Sequence, residues 1–161
     1  MEKPKINYLK VKRKQNDNNI IKNLDINKLY DLINTLPFKL TEDQTKAIND
    51  ILNDFTSNKR MNRLVIGDVG SGKTIVAFLS IYANLLAGYQ SAFLAPTEIL
   101  ATQHYENITK LFKNIKVELL TSNTSKKQRK EIIEKLKKNK IDCIIGTHSI
   151  INEEIEFYNL G

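Results

Sequence analysis

Apolar residues recur at helical spacing in two stretches near the start of the chain. Ile26, Leu29, Ile33 and Leu36 fall on one stripe, with Asp25 placed as an N-cap and Pro37 as a stop. Ala47, Ile48, Ile51, Leu52 and Phe55 form a second stripe. Thr41-Glu42-Asp43-Gln44 opens it as a capping box, with Thr41 at the N-cap and Gln44 at N3. From residue 63 onward, short apolar runs alternate with longer amphipathic stretches. The runs at 63–66, 92–95, 117–120 and 142–145 predict strands, and 72–87, 98–112 and 126–138 predict helices. Gly88 suits a helix C-cap, and Thr97 and Ser125 suit N-caps. This alternation predicts an α/β domain whose mainly parallel sheet is covered by helices on both faces. Residues 1–24 are polar, basic and aperiodic, so they read as a tail or linker preceding a domain over 25–161.

Composition narrows the picture further. A chain of 161 residues with 41% hydrophobic positions supports one domain with a real core. The net charge of +7 excludes an acidic tail and permits an anionic partner. Of 25 basic residues 21 are Lys, and Asn and Ile are abundant too, a bias that fits an AT-rich genome and weakens Lys richness as a sign of nucleic acid. The single cysteine, Cys143, excludes a disulfide framework and a Cys-rich zinc site. No apolar run approaches the ~20 residues of a membrane span. The basic N-terminus has no apolar core behind it, so it does not read as a secretion signal. A cytoplasmic protein with no membrane partner is the expectation.

The chemistry is concentrated in one loop. Gly67-Asp68-Val69-Gly70-Ser71-Gly72-Lys73-Thr74 is a G-x-x-x-x-G-K-[ST] phosphate loop, set between an apolar run and a helical stretch. Its glycines let backbone N–H groups turn inward around phosphate oxygens, and the following helix adds partial positive charge. Lys73 suits the β- and γ-phosphates, and the Thr74 hydroxyl suits Mg²⁺.

Two cues bear on the base. Asn139-Lys140-Ile141-Asp142 spells the guanine-reading N-K-x-D, but it precedes its strand where that pattern should end one, and reads as a chance match. Phe38 and Gln44 supply an aromatic face and an amide suited to adenine. Equally, Gln44 could serve only the capping box, with Phe38 a local packing contact. The spacing alone leaves both readings open.

Four strings, LPFKLTEDQ, RLVIGDVGSGKT, AFLAPTEILATQHY and IIGTHSI, occur in this order. Together they resemble the first motor lobe of superfamily 2 DNA helicases, most closely the RecG type, over about residues 25–161. The motor of the transcription-repair coupling factor Mfd is the near alternative, and Ser71 with the Thr97-Glu98 pair fits the RecG type better. The resemblance implies a RecA-like P-loop NTPase lobe, incomplete here, of an ATP-driven translocase acting on stalled forks and Holliday junctions. It implies ATP and Mg²⁺ as cofactors, and an adenine-reading role for Phe38 and Gln44. It also implies DNA contact by Pro96, Thr97, Gln103 and His104 in one loop and by Thr147 and His148, after Gly146, in another. Independently, both loops follow expected strands, and loops at the C-terminal ends of parallel strands gather at one edge. Thr hydroxyls and helix N-terminal amides suit phosphate contacts there, and Thr97 can also serve as a plain N-cap.

The two histidines lack the spacing of a metal site. Residues 126–140 carry eight basic and two acidic residues, which suits either a solvated helix face or a duplex-facing patch. No strand reads apolar-apolar-Asp-Glu, so the carboxylates that complete a Mg²⁺ site and activate water are expected beyond Gly161. The second motor lobe and an upstream wedge domain are expected outside the chain as well. Residues 1–161 alone are expected to bind ATP without hydrolysing it, as a monomer. A P-loop kinase is the rival from another class, but only Arg13, Arg60, Arg63 and Arg129 are available and no Arg-rich lid follows the loop. A non-catalytic nucleotide- or DNA-binding module is a third possibility.

Overall fold

The computed structural model describes residues 21–58, 60–151 and 155–161, so the tail expected over 1–24 lies mostly outside them. The chain divides into two compact units, one ending at Ala87 and the other spanning Gly88–Gly161.

The first unit holds three helices, α1 (Ile26–Asn34), α2 (Glu42–Phe55) and α3 (Lys73–Leu86). Asp25 caps α1 by accepting from the Lys28 amide at 3.4 Å. The helix ends before Leu36, and Leu29 is its one buried residue. The capping box on α2 is complete, and its five expected apolar positions are all buried. They pack with α3, whose Ile75, Val76, Phe78, Leu79, Ile81 and Ala83 are buried in turn. Lys22, from the end of the expected tail, is buried here. Its ammonium bonds the Asn84 side chain and lies 4.0 Å from the centre of the Phe55 ring. Burial pushes its pKa down.

The strand expected at 63–66 is not formed. This segment has no strand partner among the described residues, and Leu64 and Ile66 are exposed. β propensity describes how side chains fit a pleated surface, and it cannot supply the ladder that makes a strand. The segment is anchored through Arg63 instead, whose guanidinium meets Asp54 at 2.5 Å and Asp50 at 3.5 Å.

The second unit carries the other three expected strands within one or two residues of their expected bounds. They are β1 (Ser91–Leu94), β2 (Val117–Leu120) and β3 (Cys143–Gly146), with α4 (Glu98–Leu111) and α5 (Lys126–Lys137) between them. The sheet is parallel in the order β1-β3-β2, with Leu94, Gly146 and Leu120 level at its C-terminal edge. The central strand β3 is buried throughout. Ile144 packs with Leu120 and with Ile132 and Leu136 of α5 on one face. On the other, Phe93 meets His104 of α4. Helices therefore cover both faces, as expected.

Gln90 closes this unit at the outer edge of β1. Its side chain is almost fully buried. Nε2 donates to the Leu136 and Ile141 carbonyls at 3.1 and 2.8 Å. Oε1 accepts from the Tyr158 and Asn159 amides at 2.8 and 3.1 Å. Asn139 adopts φ 54°, and the Lys140 amide reaches back to the Lys135 carbonyl at 2.9 Å. The N-K-x-D string is thus a helix C-terminus, and its Asp142 accepts from the Lys116 amide at 2.7 Å.

Candidate functional site: a phosphate loop and three strand-end loops

The phosphate loop lies wholly in the first unit. The Ser71 amide donates to the Asp68 carbonyl at 3.1 Å, which folds the loop back on itself. Gly70 and Gly72 have φ of 82° and 77°, left-handed values that side chains resist. Gly72 is also the N-cap of α3, so the turn that opens the loop starts the helix. Lys73 Nζ donates to the Gly67 and Asp68 carbonyls at 2.6 and 2.7 Å, and lies 3.4 Å from Ser71 Oγ. Its ammonium is thereby held inside the curve of the loop. Thr74 follows in the first turn of α3, and Val69 stands fully exposed at the tip.

Gln44 joins α2 to this loop. Its Oε1 accepts from the Thr41 amide at 2.9 Å, and its Nε2 donates to the Ser71 carbonyl at 3.0 Å. Each of those atoms keeps one further hydrogen-bonding position, so the capping role and base recognition are compatible. Phe38 is exposed. It lines a groove of about 500 Å³ with Tyr30, Leu36, Pro37, Ile48 and Asn49.

The donor set suits a polyphosphate: left-handed glycines, a helix N-terminus and a lysine already gathered into the loop. For Mg²⁺ the loop offers the Thr74 hydroxyl, and no cluster of three or more His, Cys, Asp or Glu occurs among the described residues.

The expected DNA-facing residues lie in the second unit. Pro96, Thr97 and Gln103 are exposed, and Thr97 caps α4 by accepting from the Leu100 amide at 3.3 Å. His104 is half-buried, its ring edge-on to Phe93 with centres 5.0 Å apart, and burial lowers its pKa. The Ala95 amide donates to the Gly146 carbonyl at 2.8 Å, so these two loops leave the sheet side by side. Thr147 is buried there, and His148 is exposed at the start of a short 3-10 turn, His148–Ile151.

A third loop, 121–125, leaves the same edge from β2. The carboxylate of Glu98 accepts from the Ser122 amide at 2.8 Å, from the Ser122 hydroxyl, and from Asn123 Nδ2 at 2.8 Å. The two Ser122 hydrogen bonds, the hydroxyl's foremost, hold the Glu98 pKa below its ordinary value. The hydroxyl-rich run Thr121-Ser122-Asn123-Thr124-Ser125, placed after a strand, is the one sequence signal that could have exposed this loop.

A parallel sheet with helices on both faces defines an open α/β lobe of the RecA-like class. The chain belongs to the DEAD/DEAH box helicase family, whose model matches residues 41–160. It is 46% identical to the ATP-dependent DNA helicase RecG of Staphylococcus epidermidis strain RP62A, over 98% of this chain and 23% of that protein. The RecG of Streptococcus pneumoniae strain TIGR4 is 48% identical over 79% of this chain and 19% of its own length. A solved structure of RecG bound to a three-way DNA junction superposes with TM-score 0.84 at 46% identity, covering 89% of this chain and 20% of that one. A hypothetical ATP-dependent RNA helicase from Sulfolobus tokodaii shares the fold at TM-score 0.52 and 21% identity. The chain thus spans about a quarter of the relatives it matches. These likenesses bear out the RecA-like fold and the resemblance to part of a RecG-type superfamily 2 helicase.

Proposed function

We propose that this chain is the ATP-binding part of a RecG-like DNA helicase motor, which translocates on DNA and remodels branched structures such as forks and Holliday junctions. The observation that carries this reading is the loop 67–74 with the Lys73 ammonium drawn against the Gly67 and Asp68 carbonyls. The similarity to RecG, whose solved structure is bound to a three-way DNA junction, supports the choice of DNA as partner. Bound ATP supplies the free energy of hydrolysis. Lys73 exchanges its carbonyl partners for β- and γ-phosphate oxygens, loop amides and the α3 N-terminus hold the remaining charge, and Thr74 contributes a hydroxyl to Mg²⁺. Gln44 reads adenine with its spare donor and acceptor, and Phe38 contributes an aromatic face nearby. Pro96, Thr97, Gln103 and His148 form the exposed surface that meets the DNA backbone, with the half-buried His104 and the buried Thr147 supporting it from behind. With its lowered pKa, His104 serves as a neutral imidazole near pH 7.

Residues 1–161 bind ATP without turning it over, because no sheet strand among the described residues ends in a carboxylate that could orient water. No described helix is long and apolar enough to cross a membrane, and a cytoplasmic location suits a DNA-acting motor. The test is a fluorescent-ATP titration with Mg²⁺, competed by ATP and GTP. Saturable binding that prefers ATP and disappears in Lys73→Ala is expected. Equal competition by GTP removes the adenine reading, and binding indifferent to Lys73→Ala removes the phosphate-loop reading.

A further inference from the structure

Strands β1 and β2 are not neighbours, because β3 lies between them. No ladder hydrogen bond can therefore couple the loop after β1 to the loop after β2. Glu98 makes that connection from the first turn of α4, with one carboxylate receiving three donors from Ser122 and Asn123. Loop 121–125 is fixed internally as well. The Thr121 amide donates to Thr124 Oγ1 at 3.0 Å, and Ser125 forms a capping box with Gln128. This loop delivers α5, whose first turn presents the exposed Lys126 and Lys127 with no acidic residue, and whose second turn adds the exposed Lys130, ahead of Glu131. Cations there oppose the positive end of the helix dipole, so helix stability does not account for them.

We propose that Glu98 is a positioning residue that locks loop 121–125 to the start of α4, so that Lys126, Lys127 and Lys130 form a third contact with the DNA phosphate backbone. The proposal rests on the DNA reading above and adds a surface to it. The three strand-end loops then present one continuous face, with Glu98 as the tie across the end of β3. Specificity for sequence is not expected from such contacts, since they meet phosphates.

The sign of the Glu98→Gln effect separates positioning from bulk electrostatics. Removing a negative charge near DNA should tighten binding if charge alone matters. Breaking the tie should weaken it. The experiment measures binding of the 161-residue chain to a fluorescent forked duplex by anisotropy between 50 and 200 mM salt. Glu98→Gln is expected to weaken binding about three- to tenfold. It should also flatten the slope of log affinity against log salt by about 0.9 for each phosphate that is no longer neutralised. The triple variant Lys126→Gln/Lys127→Gln/Lys130→Gln should do the same, and adding Glu98→Gln to it should change little, because both act on one surface. Ser122→Ala keeps every charge and should weaken binding in the same direction by a smaller factor. It decides the matter if Glu98→Gln loses its helical circular dichroism. Equal or tighter binding by a folded Glu98→Gln chain overturns the proposal. Dependence on the lysines without dependence on Glu98 or Ser122 overturns the tie alone. A wild-type chain with no salt-sensitive DNA binding overturns the DNA reading and this proposal with it.

Discussion

A methyl group added at Gly72 would overlap the Gln44 amide nitrogen, and the residue's φ of 77° already disfavours any side chain. Gly72→Ala therefore strains the backbone by about 1–2 kcal/mol and pushes Gln44 away from the loop. ATP binding about tenfold weaker, with helical circular dichroism retained, is expected in the same titration. Gly146 is constrained differently: a Cβ there would overlap the Leu120 carbonyl oxygen on the neighbouring strand. Gly146→Ala must part β3 from β2, and a destabilisation of about 2 kcal/mol or more in urea unfolding is expected. The tight turn at Gly72 was legible in the sequence, because the loop motif is local. Gln90 was invisible, since its four partners lie 46 to 69 positions away. Gln44 was legible as the closing residue of a capping box, because Thr41 lies only three positions away.

Helices were legible almost to the residue because their start signals sit within one turn. Thr41 with Gln44, Thr97 with Leu100 and Ser125 with Gln128 are all three apart. Strands depend on partners far along the chain, and there the pattern succeeds for β1, β2 and β3 and fails at 63–66. The apolar pattern is equally good in all four. What differs is whether a neighbouring strand forms beside it. The clamp from Glu98 escapes the sequence for the same reason, being a contact across 24 or 25 positions between two loops. At this scale the Arg63 anchor makes a prediction of its own. Arg63→Met removes the bonds to Asp50 and Asp54 and releases segment 63–66 from α2. Because these groups are partly exposed, the destabilisation should be only about 1 kcal/mol. The released segment should show faster amide hydrogen exchange while α2 keeps its protection.

For the molecule as a whole, the single thiol is a built-in reporter. Cys143 is fully buried in the central strand of the second unit. Burial, helped by the negative charge of Asp142, pushes its pKa up from 9.0 to about 12. In the folded state it keeps its proton at pH values where the unfolded chain gives it up. The unfolded state therefore binds fewer protons between about pH 9 and 12, and stability contributed by this group is present below pH 9 and lost as pH rises through that window. Thiol labelling at pH 8 should be slow in native chain and fast in urea, and native labelling should accelerate above pH 9 as the unit opens. Labelling at the unfolded rate under native conditions would contradict the buried strand.

The Gln90 junction also sets an order in time. Gln90 and Tyr158 stand 68 residues apart. A ribosome adding about 5–20 residues per second separates their emergence by roughly 3–14 s. Throughout that interval the Gln90 carbonyl has no amide to receive, and the outer edge of β1 stays wet. The second unit can gather its strands as they emerge, but it seals only when the 158–161 segment arrives, so its closure waits on a segment that follows all three strands.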